Sequence, residues 1–252
     1  MCTSPKPRKN AYTPYAPLLT PKPLAPDLWI VDGPEIVMNL GGLSVPFPTR
    51  MTIVRLQGGL WLHSPIAPDD ALIERVEALG AVRWLIAPNS IHYWWIADWK
   101  ARFREARVFA VPGLERKAKR DTPIDEILSA RAPETWTDRF EQALIAGDAI
   151  TECAFFHKAS RTLILTDLIE NFETERVRPW ALRQLIKLAG MTAPNGQTPP
   201  DLQLSFFRQR KAVREAARKM LSWAPERIVL AHGAIIADNA QDALRHAFRW
   251  AL

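Results

Sequence analysis

Three side chains able to ligate a metal or move a proton stand just beyond apolar stretches of this chain. His92 comes six residues after Ile86, the last residue of Val82-Arg83-Trp84-Leu85-Ile86. Asp167 directly follows Thr162-Leu163-Ile164-Leu165-Thr166, and His232 follows Ile228-Val229-Leu230-Ala231 and precedes Gly233. Short apolar runs of this kind read as strands. In layered α/β structures the ends of neighbouring strands form the usual ligand crevice, so two imidazoles and one carboxylate can meet there. Such a set can bind one Zn²⁺ or Fe²⁺ and leave positions open for water or substrate. The competing reading at each position is a polar side chain that caps a helix or satisfies turn amides.

Other residues carry weaker signals. His63, in Trp61-Leu62-His63-Ser64-Pro65, either lines the same crevice or is a satisfied turn histidine, the second being favoured. His157, between two strand-like runs, reads as structural. Ser64, Ser90 and Ser160 lack a Gly-x-Ser-x-Gly context, and neither a P-loop nor a Gly-x-Gly-x-x-Gly fingerprint is present. Tyr93, Trp94, Trp95 and Trp99 crowd one expected helix behind His92. They form either an aromatic wall of the crevice or, as favoured here, helix-on-sheet core. Arg208, Arg210, Lys211, Arg214, Arg218 and Lys219 make the one basic cluster, offset only by Glu215. Such a face can track a phosphate backbone, but solvated helices look alike, and nucleic-acid binding is disfavoured.

The elements that must position these residues follow from composition and pattern. At 252 residues and 48% hydrophobic, the chain can fill a sizeable core and is not globally disordered. The formal charge is +6, and removing Lys6, Arg8, Lys9 and Lys22, which precede the first acid Asp27, leaves +2 on the rest. That near balance gives little reason to invoke nucleic acid or anionic lipid. No apolar run is long enough to span a membrane, and no apolar stretch follows the first charges, so neither a membrane span nor a secretion signal is expected. Two cysteines, Cys2 and Cys153, exclude a disulfide framework or a Cys-based zinc site and point to the reducing cytoplasm. Seven of the 21 prolines lie in residues 1–26, so residues 1–27 read as an extended arm before a domain over 28–252. The arm either wraps the domain through Tyr12, Tyr15, Leu18 and Leu19 or is a disordered tail.

Beyond the arm, apolar runs separated by Gly33-Pro34, Gly41-Gly42 and Gly58-Gly59 predict an antiparallel meander. A helix opened by Pro68-Asp69-Asp70 and stopped at Gly80, a strand at 82–86, a helix from Ile91 through Phe103 and a strand at 108–111 follow. Residues 113–140 read as a helix-plus-loop insertion. Strands are expected near 143–146, 151–156, 162–166 and 227–230, with helices near 179–189, 206–223 and from Asn239. Two strand groups with helices between and after them suggest two sheets covered by helices.

Over residues 28–250 the chain resembles the metallo-β-lactamase superfamily, and within it a poorly characterised family of domains of unknown function with degraded metal motifs. The superfamily's His-x-His-x-Asp-His segment is matched by Ala87-Pro88-Asn89-Ser90-Ile91-His92, its bridging aspartate by Asp167, and its terminal Gly-His motif by Ala231-His232-Gly233. The resemblance implies a four-layer αββα sandwich. It also implies that one metal position has lost its histidines, at Ala87, Asn89 and Asp148, while His92, Asp167 and His232 of the other survive. At most one metal, Zn²⁺ or Fe²⁺, is then expected, with the same three residues as the catalytic set of a metal-dependent hydrolase acting on an unidentified small molecule. The alternative is a catalytically silent member that binds a ligand or partner. Oligomeric state is left open.

Overall fold

The computed structural model describes residues 11–40 and 43–252. The first apolar runs form an antiparallel set, β1 (Lys22–Ala25), β2 (Leu28–Leu40), β3 (Leu43–Leu56) and β4 (Gly59–His63). The turn expected at Gly33-Pro34 does not form. β2 runs through it, with an irregularity in its pairing to β3 between Gly33 and Ile36. Proline lacks a ladder donor and is tolerated at such irregularities, while a Cβ at Gly33 would overlap Thr49 Oγ1. The turn expected at Gly41-Gly42 lies outside the described residues.

From β4 onward the strands run parallel. α1 (Asp70–Glu77) leads to β5 (Val82–Ala87), α2 (Ile96–Arg102) to β6 (Arg107–Ala110), and α3 (Leu114–Lys117) to β7 (Glu126–Ile127), completing a seven-stranded sheet in the order β1 to β7. Asp69 caps α1 by accepting the Leu72 N–H at 2.7 Å, and Leu72, Ile73 and Val76 bury its inner face. The helix expected from Ile91 starts only at Ile96, because residues 90–95 are turns. Of its aromatic cluster, Trp99 and Tyr93 are core, while Trp94 and Trp95 are half-buried against it: Trp99 is fully buried with its indole N–H on Ile66 O at 2.7 Å, and the Tyr93 hydroxyl accepts the Lys119 N–H at 2.6 Å. The 113–140 segment contributes more than a loop. It supplies β7 and the buried Trp136, whose ring lies 4.6 Å from Phe109 and 6.3 Å from Trp61, centroid to centroid.

The second sheet has the order β11-β10-β9-β8. β8 (Phe140–Ala146), β9 (Thr151–His157) and β10 (Thr162–Ile164) are antiparallel, and β11 (Arg227–Val229) joins β10 in parallel. Between β10 and β11 lie α4 (Trp180–Leu188), α5 (Pro200–Ser205) and α6 (Arg210–Ser222), and α7 (Ala240–Ala247) closes the chain. The single helix expected over 206–223 is therefore broken. Phe206 is fully buried against Gly147, where a Cβ would overlap its ring, and α6 begins only beyond a 3₁₀ turn at Phe207–Gln209.

Rings from both sheets meet in the middle: Trp61 of β4 lies 4.6 Å from Phe140 of β8 and 5.0 Å from Phe155 of β9. Val213, Ala217 and Met220 of α6 and Leu244 of α7 share a second core with Ala154, Phe156, Leu163 and Ile228 of the second sheet. Each large side chain buried in these layers contributes about 1.5–3 kcal/mol relative to exposure. The result is an αββα sandwich. Two cations of the basic cluster help attach α6: Arg214 donates to Ala251 O at 2.7 Å, and the Lys219 ammonium to Gln142 O at 2.9 Å.

The described part of the arm is docked. Thr13 N donates to Arg176 O at 2.8 Å, Tyr12 is buried with its backbone N–H on Glu35 Oε2 at 2.6 Å, and the Tyr15 hydroxyl donates to Glu173 Oε2 at 2.5 Å. Burial pushes the Tyr12 hydroxyl up to about 12, so it stays neutral in this packing.

Candidate metal centre

The loops after β5, β10 and β11 open at the same end of the sandwich, and each delivers one of the three expected side chains. His92 Nε2 is 3.1 Å from Asp167 Oδ1 and 3.2 Å from His232 Nε2, and His232 Nε2 is 3.2 Å from Asp167 Oδ1. The three donor atoms thus form a nearly equilateral triangle. They are the one group of three or more potential His, Cys, Asp or Glu ligands close enough to share an ion among the described residues.

Each corner of the triangle is held from behind. Pro48 O can only accept, so His232 Nδ1, 2.7 Å away, carries a proton and turns Nε2 inward. His92 Nδ1 faces the Ser64 hydroxyl at 2.6 Å. Asn89 Nδ2 donates to Asp167 Oδ2 at 2.7 Å, which leaves Oδ1 for the triangle. The same amide lies 2.9 Å from Thr166 Oγ1 and 3.1 Å from Glu152 Oε2, and its Oδ1 accepts the N–H groups of Ile91 and His92 at 2.8 and 2.7 Å. Glu152, fully buried at the start of β9, accepts the N–H groups of Thr166 and Asp167 at 2.7 and 2.9 Å. Such outer partners fix ligand orientation and tautomer in metal sites.

The loop carrying His232 is anchored to the first sheet. Arg50 of β3 donates from Nη1 to Leu230 O and Gly233 O at 2.8 and 2.9 Å, and pairs with the buried Asp32 at 2.8 Å. Gly233 has φ +92°, and a Cβ there would overlap Asn171 O. Both facts require glycine. Gly233→Ala is expected to cost roughly 1–3 kcal/mol from backbone strain alone, before the clash is added, and a shift of the urea midpoint of a purified variant checks this. An unchanged midpoint would mean that the loop can yield.

The electrostatics are those of a tight acid–imidazole cluster. Burial alone would raise the Asp167 carboxyl, but the charge of His92 and the close pairing with both imidazoles outweigh it and hold the group well below the usual carboxylate range. Burial works against protonation of His92, yet the nearby carboxylates of Asp167 and Glu152 raise its pKa. Glu152 is raised by burial and by the Asp167 charge, against the hydrogen bonds from Thr166 and Asp167.

The donor set fits a metal ion. In a tetrahedral site with donors about 2.0 Å from the ion, the donors stand about 3.3 Å apart, close to the 3.1–3.2 Å edges found here. Two inward ring nitrogens and a carboxylate oxygen also need a positive centre, a cation or at least a shared proton, between them.

The positions expected to have lost ligands behave differently. Ala87 is buried at the end of β5, and Asn89 has become the amide that ties the cluster together. Asp148 faces elsewhere, accepting from Gln209 Nε2 at 2.9 Å. His63 does not enter the triangle. It stacks on Trp61 in the inter-sheet core at 5.5 Å, its Nε2 has no partner among the described residues, and burial, followed by the charge of His92, lowers its pKa to about 3. His157 is structural, paired through Nδ1 with Ser160 Oγ at 2.8 Å. Sequence reasoning missed Asn89, Glu152, Ser64 and Arg50 as organisers. The one available signal was Glu152, a lone acid inside the apolar run Thr151–His157.

Beside the triangle lies a cavity of about 330 Å³, with Asp167 and His232 in its wall. Most of the rest is apolar, from β2 and β3 at Met38, Val45 and Phe47, from α4 at Leu182 and Ile186 and from α5 at Pro200 and Leu202, with Glu170 and Asp201 as further acids.

Comparison with known proteins agrees with this architecture. The family model described as "Domain of unknown function (DUF4336)" matches residues 27–191, and the chain belongs to that family. Solved metallo-β-lactamases superpose on nearly the whole chain. The FIM-1 enzyme of Pseudomonas aeruginosa in its mono-zinc form has a TM-score of 0.62 and 12% identity over 92% of this chain and 94% of its own. The metallo-β-lactamase from Hirschia baltica has a TM-score of 0.59 and 13% identity over 92% and 96%. That from Pontibacter korlensis has a TM-score of 0.56 and 12% identity over 92% and 97%. The fold is therefore that of the metallo-β-lactamases. No curated protein matches the chain. No helix among the described residues is long and apolar enough to cross a membrane.

Proposed function

We propose that this protein is a divergent hydrolase of the metallo-β-lactamase fold that holds a single divalent metal, Zn²⁺ or Fe²⁺, through His92, Asp167 and His232. The observation that carries this reading is the triangle of donor atoms with 3.1–3.2 Å edges, each corner oriented from behind by a polar group that is not itself a ligand. A bound ion supplies Lewis-acid polarisation of an ester, thioester or amide carbonyl and lowers the pKa of water from 15.7 towards about 7. The chain's own residues do the rest. Pro48 O and Ser64 fix the two imidazoles, the Asn89 amide holds one carboxylate oxygen so that the other faces the cluster, and the apolar cavity excludes water around a substrate. The mono-zinc form of the FIM-1 enzyme supports the view that this fold accommodates one ion.

A second reading has one specific observation in its favour. The Asn89 amide already satisfies Asp167 Oδ2, so a proton on His92 Nε2 shared with Asp167 and His232 closes the cluster without metal, as in a silent ligand-binding member. Elemental analysis of protein purified without a polyhistidine tag decides between them. About one equivalent of zinc or iron is expected, lost in His92→Ala and Asp167→Ala variants that still melt cooperatively. Metal-free wild type that stays metal-free after incubation with either ion, with unchanged melting, overturns the hydrolase reading.

A further inference from the structure

The cavity beside the triangle carries its own information about what enters it. Besides Asp167 its charged lining contains Glu170 and Asp201, and no lysine or arginine among the described residues faces it. At about 330 Å³ it lies at the small end of the range for ligand pockets, about 300–1,000 Å³. Leu185 lines it and is 52% exposed, which marks the opening along α4.

Glu170 is the unusual member. It is 7% exposed, borders the cavity, and its carboxyl has no hydrogen-bond or ion-pair partner among the described residues. A buried carboxyl without a partner is costly, and the open side is the cavity. Burial raises the Glu170 pKa and so favours the acid. A ligand N–H or O–H pairs with the carboxyl in either protonation state, because the carbonyl oxygen of the acid and the oxygens of the carboxylate all accept, and a ligand carbonyl beside that donor takes the O–H of the acid. In the metal-free protein, an anionic group placed in the same wall finds no lysine or arginine among the described residues to pair with.

We propose that the cavity binds a small, electrically neutral apolar molecule carrying a hydrogen-bond donor opposite Glu170, and that Glu170 is the residue that selects it over anionic analogues. This deepens the hydrolase reading above by naming the substrate class of the same site: neutral amides or hydroxylated esters with a short aliphatic chain or a single ring in the apolar portion. Ala189, at the end of α4, lines the cavity and is the point at which a larger side chain would fill it.

The test is a calorimetric titration of the full chain, after chelator treatment, with octanamide and with octanoate. Without metal, nothing but the cavity distinguishes the two, so the result is separate from the metal analysis above. Octanamide is expected to bind saturably and octanoate roughly tenfold or more weakly, since an unpaired anion in an apolar wall costs more than one lost hydrogen bond. The isosteric Glu170→Gln keeps an acceptor for octanamide and adds N–H donors, so it is expected to leave octanamide binding close to wild type and to narrow the gap by admitting octanoate. Ala189→Phe is expected to abolish both while leaving the melting curve in place. Equal or tighter binding of octanoate, an unchanged gap in Glu170→Gln, octanamide binding untouched by Ala189→Phe, or no saturable heat up to the solubility of octanamide overturns the proposal. Normal metal content alongside such a failure would leave the metal centre standing without this substrate class.

Discussion

Replacing Arg50 with methionine is expected to lower the free energy of unfolding by roughly 3–5 kcal/mol, because it strands a buried partner charge. Arg50 and Asp32 are both nearly inaccessible, at 4% and 2% exposure, and their salt bridge is 2.8 Å long. Lys22, the second cation on Asp32, is partly exposed and compensates only in part. The guanidinium also carries the carbonyls of Leu230 and Gly233, which flank His232, so the substitution frees both and loosens the segment after β11 that brings His232 to the triangle of donor atoms. Urea denaturation of R50M, of Asp32→Asn and of the double variant checks the argument. The double variant should lose less than the sum of the singles, since removing both charges avoids the stranded one. Metal affinity should fall in R50M even where the protein remains folded. A loss in R50M below about 1 kcal/mol, the scale of an exposed ion pair, would show that this contact is not a clamp.

That clamp was invisible in the sequence, and the reason is general to this site. His92, Asp167 and His232 were legible because each follows a recognisable apolar strand, and local pattern reports strands well. The groups that aim them act across the fold. Arg50 reaches carbonyls 180 and 183 residues away, Asn89 reaches Asp167 over 78 residues, and the backbone oxygen of Pro48 holds His232 over 184. None of these contacts has a local signature, and all but the Asn89–Asp167 bond end on a backbone oxygen of the partner. The layers were likewise legible, since the Asp69 cap and the Leu72, Ile73 and Val76 stripe define α1. Errors arose where one signal served two ends. Gly33-Pro34 looks like a turn but sits in a pairing irregularity of β2. The apolar spacing from Ile91 looks helical, but the Asn89 side chain takes the first two N–H groups into a turn. Phe206 looks like the start of a long amphipathic helix but is an anchor at a break before α6.

Asn89 is the residue whose removal should separate holding the ligands from being one. Asn89→Ala leaves His92, Asp167 and His232 intact. It removes the donor shared by Glu152, Thr166 and Asp167 and the acceptor for two backbone amides, all in a region where Asn89 itself is fully buried. Each buried group left without a partner costs about 1–3 kcal/mol, and loss of an outer partner typically weakens a metal site about 10–100-fold. The expected result is therefore a destabilised protein whose zinc affinity, read by competition with a chromophoric chelator, falls by one to two orders of magnitude. Asn89→Asp divides the effect. It keeps the acceptor for the Ile91 and His92 N–H groups but loses the donor to Asp167 Oδ2 and sets a third carboxyl against Glu152 and Asp167. If the value of Asn89 lies in shaping the His92 turn, the aspartate variant should bind zinc nearly as wild type does. If it lies in turning Asp167 Oδ1 towards the triangle, both variants should fail alike, since the carboxylate then loses the contact that fixes which oxygen faces inward. Wild-type affinity in both would mean that the three ligands hold their own geometry, and that the hydrogen bonds behind them serve the fold alone.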